Sequence, residues 1–134
     1  MGKSALLTNI LHNISDFCIN IACNEGFGLA TLESMQVGNP IIALKTGGLT
    51  RQVVDHRDGS SNGVALDPTV RNLVGSQMGP YIYEDHIDNQ AVADAYMELY
   101  DLGPDGRKEL GLKGFVAIKK GTPVYKKARE FYQK

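Results

Sequence analysis

The sequence predicts an α/β domain built on a parallel sheet with flanking helices. Apolar runs of strand length alternate with segments of helical spacing, and short glycine-bearing turns join them. The chain has 134 residues and a hydrophobic content of 43%, which is enough for one domain with a buried core. In such sheets the loops that follow the strands lie together at one edge, so we expect a ligand site there.

Helix and strand alternate through the first half of the sequence. A helix, a buried strand, a glycine turn and a second helix follow one another, and the second helix ends at Gly38 and Pro40. Its apolar face is expected to use Leu29, Leu32 and Met35. In order, the predicted elements are helix 4–16, strand 17–23, helix 29–37, strand 40–44, a short helix through 53–54, and strand 63–66.

The second half predicts helices after a segment with no clear period. Residues 69–88 include glycines at irregular positions, and only the Tyr-Ile-Tyr run at 81–83 suggests a short strand. A helical stripe ends at Gly103 and Pro104, and two more helices are predicted over 105–119 and 123–133. The stripe consists of Ala91, Val92, Ala95, Tyr96, Leu99 and Leu102.

Composition and charge argue against several classes of partner. The formal net charge of -1 gives no attraction to nucleic acid or to an anionic membrane. No stretch approaches the roughly 20 apolar residues that span a bilayer. Cys18 and Cys23 are predicted to be two buried thiols on opposite faces of one strand, which fits a reducing compartment and a cytoplasmic protein. The three histidines have no metal-ligand spacing, so no metal site is predicted.

The stretch with the clearest chemistry is Glu-Gly-Phe-Gly-Leu-Ala-Thr-Leu-Glu at 25–33. A strand, a glycine turn and a helix N-terminus make an anion site, because free backbone N–H groups and the helix dipole face one point. We expect the amides of Gly28, Leu29 and Ala30 to bind phosphates there. Glu25 and Glu33 flank that point and suit sugar and ribose hydroxyls, so the expected ligand is a nucleotide-sugar. Ordinary solvated acids near a helix N-terminus are the alternative, since the dipole favours them too.

Together with two later segments, this turn resembles the donor-binding core of glycosyltransferase family 4. The segments stand in the family's order: Glu-Gly-Phe-Gly-Leu-x-x-x-Glu at 25–33, Gly-Asn-Pro-Ile-Ile-Ala at 38–43, and Gly-Gly-Leu at 47–49. The first segment is similar to the motif called E-x7-E. The likeness is strong from about residue 15 to residue 54 and weaker beyond.

The resemblance implies a retaining enzyme of the GT-B fold, in which two Rossmann-like domains enclose the active site. It implies metal-independent transfer of a sugar from a nucleotide-diphosphate donor to an acceptor, without a cofactor. Helix-terminus amides would then stabilise the leaving diphosphate. Glu25 would contact the donor sugar and the reacting centre, and Glu33 would bind the ribose. The other implied donor-binding positions are Gly26, Phe27 and Gly28 under the sugar, with the amides of Leu29 and Ala30 on the diphosphate.

The chain departs from the family's pattern at three positions. Ala30 stands where proline is common, a tolerable change because proline is only convenient at a helix start. Thr50 and Arg51 stand where the family commonly has Pro-Glu after Gly-Gly-Leu. The second glycine loop, with Gly47 and Gly48, is therefore expected to bind donor without supplying a carboxylate.

The family's basic residue for the diphosphate lies upstream of the matching region. Lys45 follows the predicted strand at 40–44 and is the candidate to replace that residue in donor binding. A solvated loop lysine is the alternative.

The resemblance also predicts that residues 1–134 are a single partial domain, the second half of a GT-B C-terminal domain. The strand at 17–23 would then present an apolar edge, so we expect an upstream domain, a partner chain or an oligomer to cover it. Three functions stay open. They are a retaining glycosyltransferase, a non-catalytic module that binds nucleotide-sugar for a partner supplying the acceptor half, and a remnant that binds nothing.

Overall fold

The computed structural model describes residues 3–120, with side chains from residue 6 onward. It confirms the predicted α/β class, with a parallel sheet and flanking helices. The predicted helix over 123–133 lies outside the described residues. The elements are α1 Lys3–Ile14, β1 Cys18–Asn20, α2 Leu29–Gln36, β2 Ile41–Leu44, α3 Leu49–Val53, β3 Gly63–Leu66, β4 Val70–Ser76, β5 Gly79–His86, α4 Asn89–Asp101 and α5 Gly103–Lys119.

The parallel sheet has the order β1-β2-β3, with β2 in the centre. All four residues of β2 are buried, and they alternate between the two faces of the sheet. On one face Ile42 and Leu44 pack in a cluster with Leu99 of α4. On the other face Ile41 packs in a cluster with Met35 of α2. The sheet is thus the middle of three layers, and burial on both faces explains the continuous apolar run in the sequence.

Strand β1 is shorter and more exposed than the buried strand predicted over 17–23. Only Cys18–Asn20 pairs with β2, and Ile19 is 45% exposed. The strand ends early because the side-chain oxygen of Asn20 accepts a hydrogen bond from the Ala22 amide (3.1 Å), which turns the backbone away. Among the described residues β1 pairs on one side only, so it is an edge strand, as the sequence predicts.

A two-stranded antiparallel hairpin, β4–β5, occupies the segment in which the sequence gives no clear period. The Tyr-Ile-Tyr strand predicted at 81–83 lies inside the longer β5. Most hairpin side chains are exposed on both faces, so hydrophobic and polar residues do not alternate. Because this alternation is absent, the hairpin could not be predicted from the sequence.

The helices follow the prediction in position, but the buried face of α2 differs from it. Leu32 and Met35 are buried as expected, whereas Leu29 is 43% exposed. Thr31 and Ser34 are fully buried in its place. Small side chains suit this face because neighbouring elements approach it closely.

The remaining helices differ in how they are covered. Helix α5 approaches the turn after α2 closely at Gly111, where an added Cβ would overlap the Gly38 carbonyl oxygen. Helix α1 keeps its apolar side chains, from Leu6 to Ile14, exposed.

Within residues 3–120, the helices are all too short or too polar to cross a membrane.

Candidate functional site

Two glycine-bearing loops meet at the carboxyl edge of the sheet. We define loop 1 as residues 21–28, after β1, and loop 2 as residues 45–48, after β2. The Gly48 amide donates to the Glu25 carbonyl oxygen across 3.0 Å. An added Cβ at Gly48 would stand 2.5 Å from the Phe27 carbonyl oxygen, and one at Gly47 would overlap that of Glu25. Both positions therefore require glycine, because the two backbones are in contact.

The start of α2 is fixed in the same way at Gly28. This residue precedes the helix with φ 85°, a conformation that favours glycine, and an added Cβ would lie 2.6 Å from Leu49 Cδ2. The side chain of Gln52, which is buried, donates from Nε2 to the Phe27 carbonyl oxygen across 2.5 Å. The burial of Gln52 could not be predicted from the sequence, because a single glutamine in a short helix gives no indication that its side chain is buried.

The carboxylate of Glu25 closes its own turn. Its Oε1 accepts hydrogen bonds from the amides of Gly28 (3.0 Å) and Phe27 (3.3 Å). The Gly28 amide, which we expected to bind phosphate, is thus bonded to Glu25. The amides of Leu29 and Ala30 begin the helix, where helix geometry provides no intrahelical acceptor.

Glu33 lies one turn further along α2, on the same exposed side as Leu29 and Ala30. Its side chain is 40% exposed, and Oε2 lies 4.0 Å from Nε2 of His12 in α1. The carboxylate is therefore open to a ligand that lies along the outer face of α2.

Lys45, the first residue of loop 2, is bonded towards β3 and not towards loop 1. Its amide donates to the Leu66 carbonyl oxygen (2.8 Å), and Nζ lies 2.5 Å from Oδ1 of Asp67. The ammonium group is thus paired at the end of β3. Of the predicted site residues, those of loop 1 and the start of α2 come together with Gly47 and Gly48, whereas the contacts of Lys45 are with Leu66 and Asp67 at the end of β3.

The base of the hairpin is anchored to both loops through Asp85 and the Cys23 carbonyl oxygen. That oxygen accepts from the Asp85 amide (2.7 Å) and from Thr46 Oγ1 (3.4 Å). The side chain of Asp85 is buried and accepts two hydrogen bonds from Arg71 (2.5 and 3.1 Å). The Arg71 hydrogen bond lowers the pKa of Asp85 although burial opposes the shift.

The two cysteines differ from the prediction of two buried thiols. Both are free, but Cys18 is half-buried and Cys23 is exposed. Cys23 lies beyond the end of β1, in loop 1, so neighbouring strands do not cover it. Its Sγ lies 3.6 Å from Nδ1 of His86, a contact between residues 63 positions apart that no local pattern reveals.

The part of the chain that the structure describes contains no group of three or more His, Cys, Asp and Glu side chains arranged to hold a metal ion. The groups that converge at loops 1 and 2 are backbone amides, a helix N-terminus and two carboxylates. Such a set can bind an anion at the amides and hydroxyl groups at the carboxylates.

The fold and this edge define an α/β domain with its candidate ligand site at the carboxyl ends of the strands. Residues 5–75 match the family described as "Glycosyl transferases group 1". These residues are more than half of the chain, and the chain therefore belongs to that family of glycosyltransferases.

A relative from Pyrococcus horikoshii, described as "Trehalose synthase", is 36% identical over 59 residues. The aligned segment is 44% of this chain and 14% of that protein. The chain thus corresponds to a small part of the length of the curated relative that it matches.

Proposed function

We propose that this chain is the donor-binding part of a retaining GT-B glycosyltransferase of family 4. It takes a sugar from a nucleotide-diphosphate donor and, with the rest of the enzyme, passes it to an acceptor. The observation that carries the proposal is the contact between loops 1 and 2. The Gly48 amide bonded to the Glu25 carbonyl oxygen fixes Glu25 beside the N-terminus of α2.

The diphosphate is assigned to the amides of Leu29 and Ala30. Both amides stand at the positive end of the α2 dipole and lack intrahelical acceptors. Because Glu25 holds the Gly28 amide, the site offers two amides to the phosphates rather than the three expected from sequence. Backbone donors fixed in advance stabilise charge on a leaving diphosphate without reorganisation, so the proposed transfer needs no metal.

The two carboxylates take different parts of the donor. Glu33 follows Ala30 by one turn on the exposed side of α2, so a ribose attached to the bound diphosphate lies within its reach. Glu25 lies in the turn before the helix and is assigned to the sugar and the reacting centre. Both hydrogen bonds within the turn end on Oε1 of Glu25.

Lys45 can contribute to donor binding only if its side chain leaves its partner in the free protein. Its ammonium group is paired with Asp67, whose side chain is 77% exposed, so donor phosphate would have to draw Lys45 away from that partner. An exposed pair of this kind contributes roughly 0–1 kcal/mol, which a diphosphate can offset.

A second candidate is a nucleotide-sugar-binding module that needs a partner for the acceptor half. One observation favours it over independent catalysis. Within the described residues, strand β1 is an edge with Ile19 exposed. An upstream domain, a partner chain or an oligomer would cover this edge. In either case the proposed site is the same, and a cytoplasmic location stays a prediction.

Calorimetric titration with UDP, GDP and their hexose conjugates, with and without Mg²⁺, tests the shared site. We expect one nucleotide to bind at one site per chain without a metal requirement. Binding that depends on Mg²⁺, or no binding by any of these ligands, would contradict the proposal. Slow donor hydrolysis by the chain alone would favour the enzyme over the module.

Two variants test the residue assignments. Glu33→Ala should weaken nucleotide affinity by about tenfold, because a charge-assisted pair of hydrogen bonds to ribose is lost. Glu25→Ala should leave affinity for the free nucleotide within about threefold and weaken binding of the nucleotide-sugar more. Glu98→Ala, on the exposed side of α4, is the matched control. If both site variants bind nucleotide-sugar as the control does, the assignments are wrong.

A further inference from the structure

Three side chains with acid–base and nucleophilic chemistry meet beside loop 1. The Sγ of Cys23 lies 3.6 Å from Nδ1 of His86. On the other side of the ring, Nε2 of His86 lies 3.7 Å from Oε2 of Glu84. A nucleophile, a base and a carboxylate close to the base thus stand in a row.

This arrangement is held by the backbone on both sides. The Asp85 amide donates to the Cys23 carbonyl oxygen (2.7 Å), and Asn24 Nδ2 donates to the Tyr83 carbonyl oxygen (3.2 Å). Two hydrogen bonds therefore hold loop 1 against strand β5 at the point where the Cys23 thiol contacts the His86 imidazole. The contact follows from how the hairpin is anchored.

The chain's other cysteine provides an internal contrast. Cys18 is half-buried in β1, and burial raises the pKa of its thiol. Cys23 is exposed and has an imidazole nitrogen within reach. One thiol is thus shielded, whereas the other has both access and a base.

We propose that Cys23 is a modification site that forms mixed disulfides with low-molecular-weight disulfides, with His86 as its base. His86 Nδ1 takes the thiol proton, and the Cys23 sulfur attacks one sulfur of the incoming disulfide R–S–S–R. A new S–S bond to Cys23 forms as the old one breaks, and the departing R–S⁻ receives the proton from His86. The products are the mixed disulfide and one R–SH, and excess dithiol reverses the step.

The modification would place the R–S group two positions before Glu25, between loop 1 and the hairpin. The chemistry rests on Cys23, His86 and Glu84 and does not depend on the proposed function. If the chain binds no nucleotide, the thiol reaction is expected unchanged.

Exposure of the full chain to glutathione disulfide, followed by peptide mass mapping, tests the proposal. We expect glutathione on Cys23 and not on Cys18, and removal of the adduct by dithiothreitol. Single-cysteine forms, Cys18→Ser and Cys23→Ser, allow the rates of the two thiols to be measured separately with iodoacetamide. In the folded chain Cys23 should react at least about tenfold faster than Cys18.

His86→Gln separates the action of the base from simple exposure. It should slow alkylation of Cys23 by about tenfold while circular dichroism stays unchanged, and Glu84→Gln should slow it by about threefold. Addition of imidazole should restore part of the rate in His86→Gln. If Cys23 reacts as fast in His86→Gln as in the parent, or no faster than a synthetic peptide of residues 20–26, the proposal is overturned.

Discussion

The parallel sheet and the β4–β5 hairpin are held by different forces. Strand β2 is buried along its whole length between helices on both faces. Most side chains of the hairpin are exposed, and hydrogen bonds at its base, centred on the Asp85 amide, attach it to loop 1. The sheet therefore depends on removing apolar surface from water, and the position of the hairpin depends on a few hydrogen bonds to loop 1.

This difference explains where the candidate site lies. Loop 2 follows the buried strand β2, and loop 1 is bonded to it through the Gly48 amide and the Glu25 carbonyl oxygen, so both loops are held at fixed points. The hairpin closes over one end of loop 1 without contributing to the core. A rigid sheet thus sets the positions of Glu25 and the α2 N-terminus, while the hairpin borders them.

A matched pair of isoleucines gives the largest expected contrast. Ile42 in β2 is fully buried, whereas Ile82 in β5 is 42% exposed. Ile42→Ala should lower the free energy of unfolding by about 4 kcal/mol, and Ile82→Ala by less than about 1 kcal/mol. Urea denaturation followed by circular dichroism measures both. Similar losses for the two variants would mean that the hairpin belongs to the same core as the sheet.

The contact between the loops provides the next test. Gly47→Ala should lower the free energy of unfolding by about 3 kcal/mol, because Gly47 has φ 45° and its new Cβ would overlap the Glu25 carbonyl oxygen. Gly26→Ala is the control in loop 1, since nothing lies within 4 Å of the position of its Cβ. Equal stability of the two variants, measured by the same urea titration, would show that the loops separate at little cost.

Loss of the Arg71–Asp85 ion pair, which joins β4 to β5, should have a smaller and more local effect. In Asp85→Asn a buried carboxylate that Arg71 holds is replaced by a neutral amide, at a cost of about 2 kcal/mol. Hydrogen exchange should accelerate at the amides of β4 and β5 and stay unchanged in β2. Glu84→Gln, at an adjacent position of β5, is the control for general effects of charge removal. Faster exchange throughout the sheet would contradict the division into two regions.

The smallest effect concerns pH and the loop after α3. Hydrogen bonds from the Arg57 side chain lower the pKa of Asp55 to about 2, from an ordinary value of 3.8. A lowered pKa in the folded state stabilises the protein above the unfolded value, and this contribution is lost as the pH falls from about 4 to 2. We expect it to be on the order of 1 kcal/mol. Thermal melts of the parent and Asp55→Asn should converge towards pH 2; a constant difference between them would contradict this assignment.

Sequence analysis could find the sheet because β2 and β3 are short apolar runs bounded by turns. The glycine turn was equally visible, since Glu25, Gly28 and Glu33 stand at fixed spacing around a helix start. The structure adds that Gly47 and Gly48 are required by backbone contact, a fact that spacing alone does not contain.

Contacts between distant segments could not be predicted. The partner of Lys45 depends on where Asp67 comes to lie in three dimensions. The exposure of Leu29 could not be predicted, because helical spacing shows which residues share a face of α2 and not which face is buried. The buried face requires small side chains, and it includes Thr31 and Ser34. The hairpin was missed because its two faces are both exposed, which removes the alternation by which strands are recognised.

The anchoring of the hairpin at its base leaves its tip independent of the fold. Met78, in the turn between β4 and β5, is 98% exposed, and the Asp85 anchor lies at the other end of β5. A fluorophore or an affinity peptide attached at Met78 would thus leave loops 1 and 2 undisturbed. The same separation allows the length of this turn to vary among relatives while loops 1 and 2 keep their positions.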